Sequence, residues 1–255
     1  MTHDRERISL AAFSAPDRSP ATMVWYRLVQ QASLMAFNVL GGFRSTGRQH
    51  IPRTGGALLV ANHASYLDVF LLGLTLYRPL NYVARSTLFN PILAPLMRSV
   101  GGFPIQREGM GSQGLKETLR RLRKGGIVTL FPEGTRSKTG QIGKLKPGLC
   151  ALVMRAGVPV IPAGIAGAFE SWPRSKPLPR PHFIHVHYGP PITPAHIQGM
   201  DQNDILFIVR DRMIQAHQIA RQKLLDLTTE ASMHECRLSS HCQDFESEVG
   251  VSRIA

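Results

Sequence analysis

Apolar positions along this chain fall in short blocks, and the spacing within each block predicts the element it forms. Ala57 to Ala61 is an unbroken apolar run that reads as a buried strand. Leu80 to Ala84, Phe103 to Gln106, Ile127 to Phe131, Val158 to Ile165 and Phe183 to Tyr188 read as further strands. Between them, Tyr66 to Tyr77, Asn90 to Val100, Leu115 to Lys124 and Pro147 to Ala156 read as helices. Pro91 stands near the start of the second of these, and Pro95 is expected to kink it. Gly125-Gly126 ends the third and Gly157 the fourth. Ser171 to Pro181 is rich in Pro and Arg and reads as a loop, and Met200 to Leu227 is a long helical pattern.

Alternation of this kind predicts an α/β fold, a mostly parallel central sheet flanked by helices. Ligands of such sheets bind beyond the carboxyl ends of the strands. His63 follows one buried strand and Glu133 follows another, so both are expected at the same edge of the sheet.

The most apolar stretch, Met23 to Phe43, is interrupted by Arg27, Gln30, Gln31, Ser33 and Asn38. A spanning helix needs about 20 mostly apolar residues, so this is not a convincing one. On a helical wheel Arg27, Gln30, Gln31 and Asn38 share an arc of roughly 100°, and the rest of the circumference is apolar. Such a helix either packs on the domain core or lies in a membrane interface. The chain therefore divides into a flexible N-terminus (1–20), an amphipathic helical region (21–43), the α/β domain (44–225) and an acidic tail expected to be disordered (226–255).

Charge sharpens this picture. The formal net charge is +13, and the six acidic residues from Asp226 onward conceal a still more basic body. Such a body favours an anionic partner. The basic residues are spread over many elements with no nucleic-acid recognition motif, so nucleic acid is not the expected one. The three cysteines, Cys150, Cys236 and Cys242, form no C-x-x-C and suit a reducing compartment. The first twenty residues hold Asp4, Arg5, Glu6, Arg7, Asp17 and Arg18 and lack the apolar core of a signal peptide.

The candidate chemistry lies in two segments. In Ala61-Asn62-His63-Ala64-Ser65-Tyr66-Leu67-Asp68, a histidine precedes an aspartate by five residues. On one continuous helix the two side chains would stand about 140° apart. They meet if His63 occupies the turn before the helix, with Ser65 as N-cap and Asp68 in the first turn. Asp68 would then fix the imidazole tautomer and leave the other nitrogen free to take a proton. The alternative is a dipole-stabilising Asp68 and an unremarkable turn histidine. In Phe131-Pro132-Glu133-Gly134-Thr135-Arg136-Ser137, a buried strand ends in a turn carrying a carboxylate, a hydroxyl and a guanidinium. Glu133 suits a substrate hydroxyl and Arg136 a phosphate, while Gly134 permits a tight turn and close backbone approach. Arg107, in Gly101-Gly102-Phe103-Pro104-Ile105-Gln106-Arg107, is a further cation, as are Lys144 and Lys146. A surface Glu–Arg pair and solvated charges are the plainer readings of these residues.

In this order, about seventy residues apart, the N-H-x-S-x-x-D and F-P-E-G-T-R-S segments resemble the glycerolipid acyltransferase family. The nearest branch looks like the 1-acylglycerol-3-phosphate acyltransferases. Gly101 to Arg107 and Val158-Pro159-Val160-Ile161-Pro162 resemble two further motifs of that family, and the resemblance covers roughly residues 45–190. It implies acyl transfer from acyl-CoA or acyl-carrier protein to the free hydroxyl of lysophosphatidic acid, giving phosphatidic acid. It implies His63 as base, Asp68 as its orienting acid, and Arg107, Glu133, Gly134, Thr135, Arg136, Lys144 and Lys146 around the acceptor. It implies no metal and no tightly held cofactor. With lipids as acceptor and product, it favours a monotopic or peripheral protein on the cytoplasmic face of a phospholipid bilayer. Another lysolipid, such as a lyso-ornithine lipid, and a non-catalytic lipid-binding protein are the competing readings.

Overall fold

The computed structural model describes residues 19–85, 94–105 and 112–238. Its centre is a seven-stranded sheet in the order β1-β7-β6-β2-β5-β3-β4. The strands are β1 (Phe43–Thr46), β2 (Ala57–Ala61), β3 (Leu80–Arg85), β4 (Gly102–Ile105), β5 (Ile127–Leu130), β6 (Val160–Ala166) and β7 (Ile184–Tyr188). Neighbouring strands are parallel except β6 and β7, which run antiparallel. The mostly parallel sheet expected from the sequence is therefore present. All residues of β2, β5 and β6 are buried, which matches their largely apolar runs, broken in β5 only by buried Thr129.

Helices cover both faces. On one, Leu58, Val60, Val128 and Val160 pack against α4 (Ser112–Arg123), α5 (Gly148–Ala156) and α8 (Gln202–Leu238). On the other, Leu59, Ala61, Ile161 and Ala163 pack against α2 (Asp68–Leu71) and the turns after it, with Leu34 and Phe37 of α1 (Pro20–Val39) beyond. Among the described residues there are also three short α-helices, α3 (Ala94–Ser99), α6 (Ala168–Ser171) and α7 (Pro194–Ile197), and a 3-10 helix at Arg48–His50. Ile205, Val209, Met213, Ala216 and Ala220 form the buried stripe of α8. That helix settles directly on β6 at Gly164, where a Cβ would come within 2.4 Å of the backbone of Ala216 and His217.

Three points depart from or extend the expectations. The helix expected over Tyr66 to Tyr77 is only the single turn of α2; beyond it the chain tightens into i→i+3 bonds, the N–H groups of Gly73, Leu74 and Leu76 donating to the carbonyls of Phe70, Leu71 and Gly73. Gln30 donates to the carbonyls of Gly73 and Leu76, and Arg27 to those of Leu76 and Tyr77. Strand β1 carried no clear apolar signal, since Phe43 is its one buried residue, and it pairs at the sheet edge with β7. Helix α8 does not stop near Leu227 but runs on to Leu238, past the expected start of the acidic tail. The start of the helix expected at Asn90, with Pro91, lies outside the described residues.

Helix α1 is inverted relative to an ordinary surface helix. Ser19 caps it, accepting from the Thr22 N–H, and Pro20 opens it. Half of the polar stripe turns inward, Gln30 at 6% exposure and Arg27 reaching the α2 region, while Gln31 and Asn38 stay exposed. Leu34 and Phe37 touch the core, but Val24, Trp25, Leu28, Met35 and Val39 face outward, Met35 at 73% and Val39 at 81% exposure.

Candidate active site

Parallel pairing of β2 with β5 sets the geometry of the site. Val60 lies opposite Leu130, so His63 and Glu133 each stand three residues beyond a matched pair. The two segments are then knitted through their backbones. The His63 N–H donates to Glu133 Oε1 at 3.0 Å, and the Ser137 N–H donates to the His63 carbonyl at 2.7 Å. On the other side of β2, the Asn62 side chain both donates to the Ile165 carbonyl and accepts the Ile165 N–H, at 3.0 and 2.8 Å. It acts as a rung between β2 and β6 at the point where the strands part.

His63 sits in the turn ahead of α2, as the spacing required. Its Nδ1 is 2.8 Å from Asp68 Oδ2. The same oxygen accepts the N–H groups of Ala64 and Ser65 at 2.7 and 2.8 Å. With Nδ1 donating to that carboxylate, Nε2 has its lone pair available. The imidazole stacks on Phe131, ring centroids 4.1 Å apart, and keeps 19% of its surface exposed. Asp68 is wholly buried. Ser65 is not the N-cap; that position falls to Leu67. The Asp68 carboxylate already seals the turn, and the Ser65 hydroxyl instead donates to the Trp172 carbonyl at 2.9 Å and accepts the Leu67 N–H.

Glu133 is occupied differently from the free ligand expected of it. It is 6% exposed, and its second oxygen accepts the Gly143 N–H at 3.0 Å. Burial pushes its carboxyl above the usual carboxylate range, against the pull of the N–H groups of Gly143 and His63. Its first effect is to brace the backbone of His63. Gly134, at φ +70°, turns the chain away. Exposed Thr135 follows. The Arg136 guanidinium lies over the Tyr66 ring, 3.4 Å from its centroid, and Tyr66 leans on Trp172 at 5.0 Å. Among the described residues Arg136 Nη1 is buried with no hydrogen-bond partner. Lys146 runs beneath Gly134, within 3.3 Å of where a Cβ would stand. Lys144 is exposed in the same loop. Arg107 lies outside the described residues.

Asn62, Tyr66, Phe131 and Trp172 had no role in the sequence reading, though all but Trp172 lie within its motifs. Arg210 of α8 was also missed. It donates to the carbonyls of Ile142 and Gly143, the loop whose N–H holds Glu133. Nothing in its helical spacing signals that contact. Among the described residues no group of three or more His, Cys, Asp or Glu could hold a metal ion.

A family model described as acyltransferase matches residues 42–166, the stretch from β1 to the end of β6. The chain belongs to the acyltransferase family through these residues. It is 28% identical over 144 residues to a 1-acyl-sn-glycerol-3-phosphate acyltransferase of Bacillus subtilis, covering 56% of this chain and 71% of that protein. It is 34% identical over 131 residues to the chloroplastic LPAT1 of Arabidopsis thaliana, also a 1-acyl-sn-glycerol-3-phosphate acyltransferase. There the match covers 50% of this chain but 36% of the plant protein. In fold, the acyltransferase resembles the crystal structure of the 1-acyl-sn-glycerophosphate acyltransferase PlsC from Thermotoga maritima, with a TM-score of 0.67 over 86% of each chain and 22% identity.

Proposed function

We propose that this acyltransferase moves a fatty acyl group from a thioester donor to the free hydroxyl of lysophosphatidic acid, giving phosphatidic acid. The observation that carries this reading is the His63–Asp68 pair, with Nδ1 held by the buried carboxylate and the imidazole edge still open. In the reaction, His63 Nε2 takes the proton of the acceptor hydroxyl as its oxygen attacks the thioester carbonyl. The C–S bond breaks as the tetrahedral adduct collapses, and the imidazolium returns the proton to the departing thiolate. Asp68 steadies the positive charge between these events.

Attack is direct, without an acyl-enzyme. Ser65, the nearby hydroxyl on the histidine turn, is fully buried and bonded to the Trp172 carbonyl. Cys150 is buried in the core, where burial raises its thiol pKa. Arg136 and Arg107 hold the acceptor phosphate, with Thr135, Lys144 and Lys146 beside them. Gly134 leaves room for the approach, and Glu133 supports the base from behind. Coenzyme A and acyl-carrier protein are the two donor carriers, and the reaction needs no metal or resident cofactor.

The acceptor reaches the site from a bilayer. The outward apolar face of α1, with Trp25, Leu28 and Met35, enters the interface of the cytoplasmic leaflet, and Arg44, Arg48 and Arg53 meet anionic headgroups. Among the described residues no helix is long and apolar enough to cross a membrane. Purified protein, lysophosphatidic acid and radiolabelled acyl-CoA should yield labelled phosphatidic acid, with acyl-carrier protein tested in parallel. Absence of product with both donors, alongside acylation of a different lysolipid, contradicts the acceptor assignment.

A further inference from the structure

We infer that the cavity between α8 and the carboxyl ends of β2 and β6 receives the phosphopantetheine arm of the acyl donor, an assignment that rests on the acyl-transfer reading above. The cavity measures about 680 Å³, within the usual range for small-molecule sites. Its lining includes Asn62 and Ala64, the two chain neighbours of His63. A ligand lying in it would thus pass beside the turn that carries the base.

The walls suit an arm that is thin, amide-bearing and anionic at its far end. Apolar surface comes from Ile165, Phe169, Ile214 and Leu224, and cationic surface from Arg210 and Arg221 of α8. His182 and His217 add ring nitrogens, and among the described residues Glu170 is the one acidic residue in the lining. Burial, and then the charge of Arg221, lowers the pKa of His217, so the positive charge of this wall rests on the arginines. Arg210 is already tied to the carbonyls of Ile142 and Gly143, which fixes the wall to the loop that holds Glu133. Arg221 lies about three helical turns further along α8.

The position also separates the two substrates. Helix α1, with its outward apolar face, covers one side of the sheet, and α8 covers the other. A lipid acceptor arriving past α1 leaves the α8 side to a water-borne donor. Coenzyme A and a carrier protein share the phosphopantetheine arm, so the chemistry recognised is the same for both.

Binding without turnover tests the assignment. The full chain and its Arg221→Glu variant are titrated with coenzyme A, 4′-phosphopantetheine, pantetheine and a holo carrier protein, and Arg212→Glu, elsewhere on α8, serves as a charge control. Arg221→Glu should weaken coenzyme A and phosphopantetheine by about 3- to 10-fold. Pantetheine, which lacks the phosphate, should bind both proteins alike, and Arg212→Glu should match the wild type. A loss confined to coenzyme A or to the carrier protein identifies which donor uses the arm site. Unchanged affinity for both, or an equal loss for pantetheine, overturns the assignment. Retained Arg221-dependent binding in a protein that does not acylate lysophosphatidic acid would instead count against the acceptor reading alone.

Discussion

The His63 N–H and the Gly143 N–H close on opposite oxygens of Glu133, each at 3.0 Å. One buried carboxylate thereby joins the histidine turn to the loop beyond Arg136. Replacing Glu133 with Ala leaves two N–H groups without their acceptor, each loss costing about 1–3 kcal/mol. We predict that urea unfolding shows a destabilisation of at least about 2 kcal/mol for Glu133→Ala and less for Glu133→Gln, which keeps one acceptor. In the folded Glu133→Gln protein kcat should fall while KM for lysophosphatidic acid holds. A rise in KM with kcat intact would show that Glu133 contacts the acceptor rather than bracing His63.

Arg136 is set by Tyr66, whose ring lies 3.4 Å beneath the guanidinium carbon. We predict that Arg136→Ala raises KM for lysophosphatidic acid by roughly 10- to 100-fold, the loss of a charge-assisted contact. Tyr66→Phe keeps the ring and should behave as wild type, while Tyr66→Leu should raise KM in the same direction as Arg136→Ala. Steady-state kinetics with acceptors bearing and lacking the phosphate check this. Equal losses on both acceptors contradict the phosphate role.

Much of this arrangement is legible in the sequence, and the reasons are local. Largely apolar runs mark β2, β5 and β6 because both faces of those strands are buried. The placement of His63 before its helix follows from the impossibility of meeting Asp68 on a continuous one. Long-range partners left no such mark. Gln30 and Arg27 meet the Leu76 carbonyl more than forty residues away, where the chain has already left the α-helix. Glu133 looks like an exposed turn residue until the parallel register brings His63 beside it. The inward turn of Arg27 and Gln30 on α1 is likewise invisible to periodicity, which gives a stripe but not its direction.

That direction separates two kinds of change on α1. Trp25→Glu, Leu28→Glu and Met35→Glu together alter exposed positions, and burying each native side chain in the bilayer interface is worth about 1.5 kcal/mol or more. The triple variant should stay folded and bind anionic liposomes at least about tenfold more weakly. Gln30→Leu should instead destabilise the fold by about 1–3 kcal/mol, by removing donors to the Gly73 and Leu76 carbonyls. Liposome sedimentation paired with thermal unfolding distinguishes them. Undiminished sedimentation of the folded triple variant contradicts the membrane role of this face.

His185 predicts an acid-sensitive step in stability. It is 1% exposed, and burial first, then His187 and Lys223, lowers its pKa to about 4. A histidine with a depressed folded pKa contributes stability that is full above its unfolded value, about 6.5, and is lost as the pH falls toward 4. We predict that the wild type loses more unfolding free energy between pH 7 and pH 4.5 than His185→Gln does. Parallel pH dependences in the two proteins would exclude His185 as the source.

The central claim is that His63 is the base, oriented by Asp68. General-base assistance typically contributes roughly 10²–10⁴-fold. Asp68→Asn should cost less turnover than His63→Ala but more stability, because Asp68 also accepts the N–H groups of Ala64 and Ser65. The direct measurement is transfer of labelled acyl groups to lysophosphatidic acid by wild type and by His63→Ala, with circular dichroism showing both folded. The account predicts that turnover by His63→Ala falls by at least about a hundredfold. Near-wild-type turnover by a folded His63→Ala protein would contradict it.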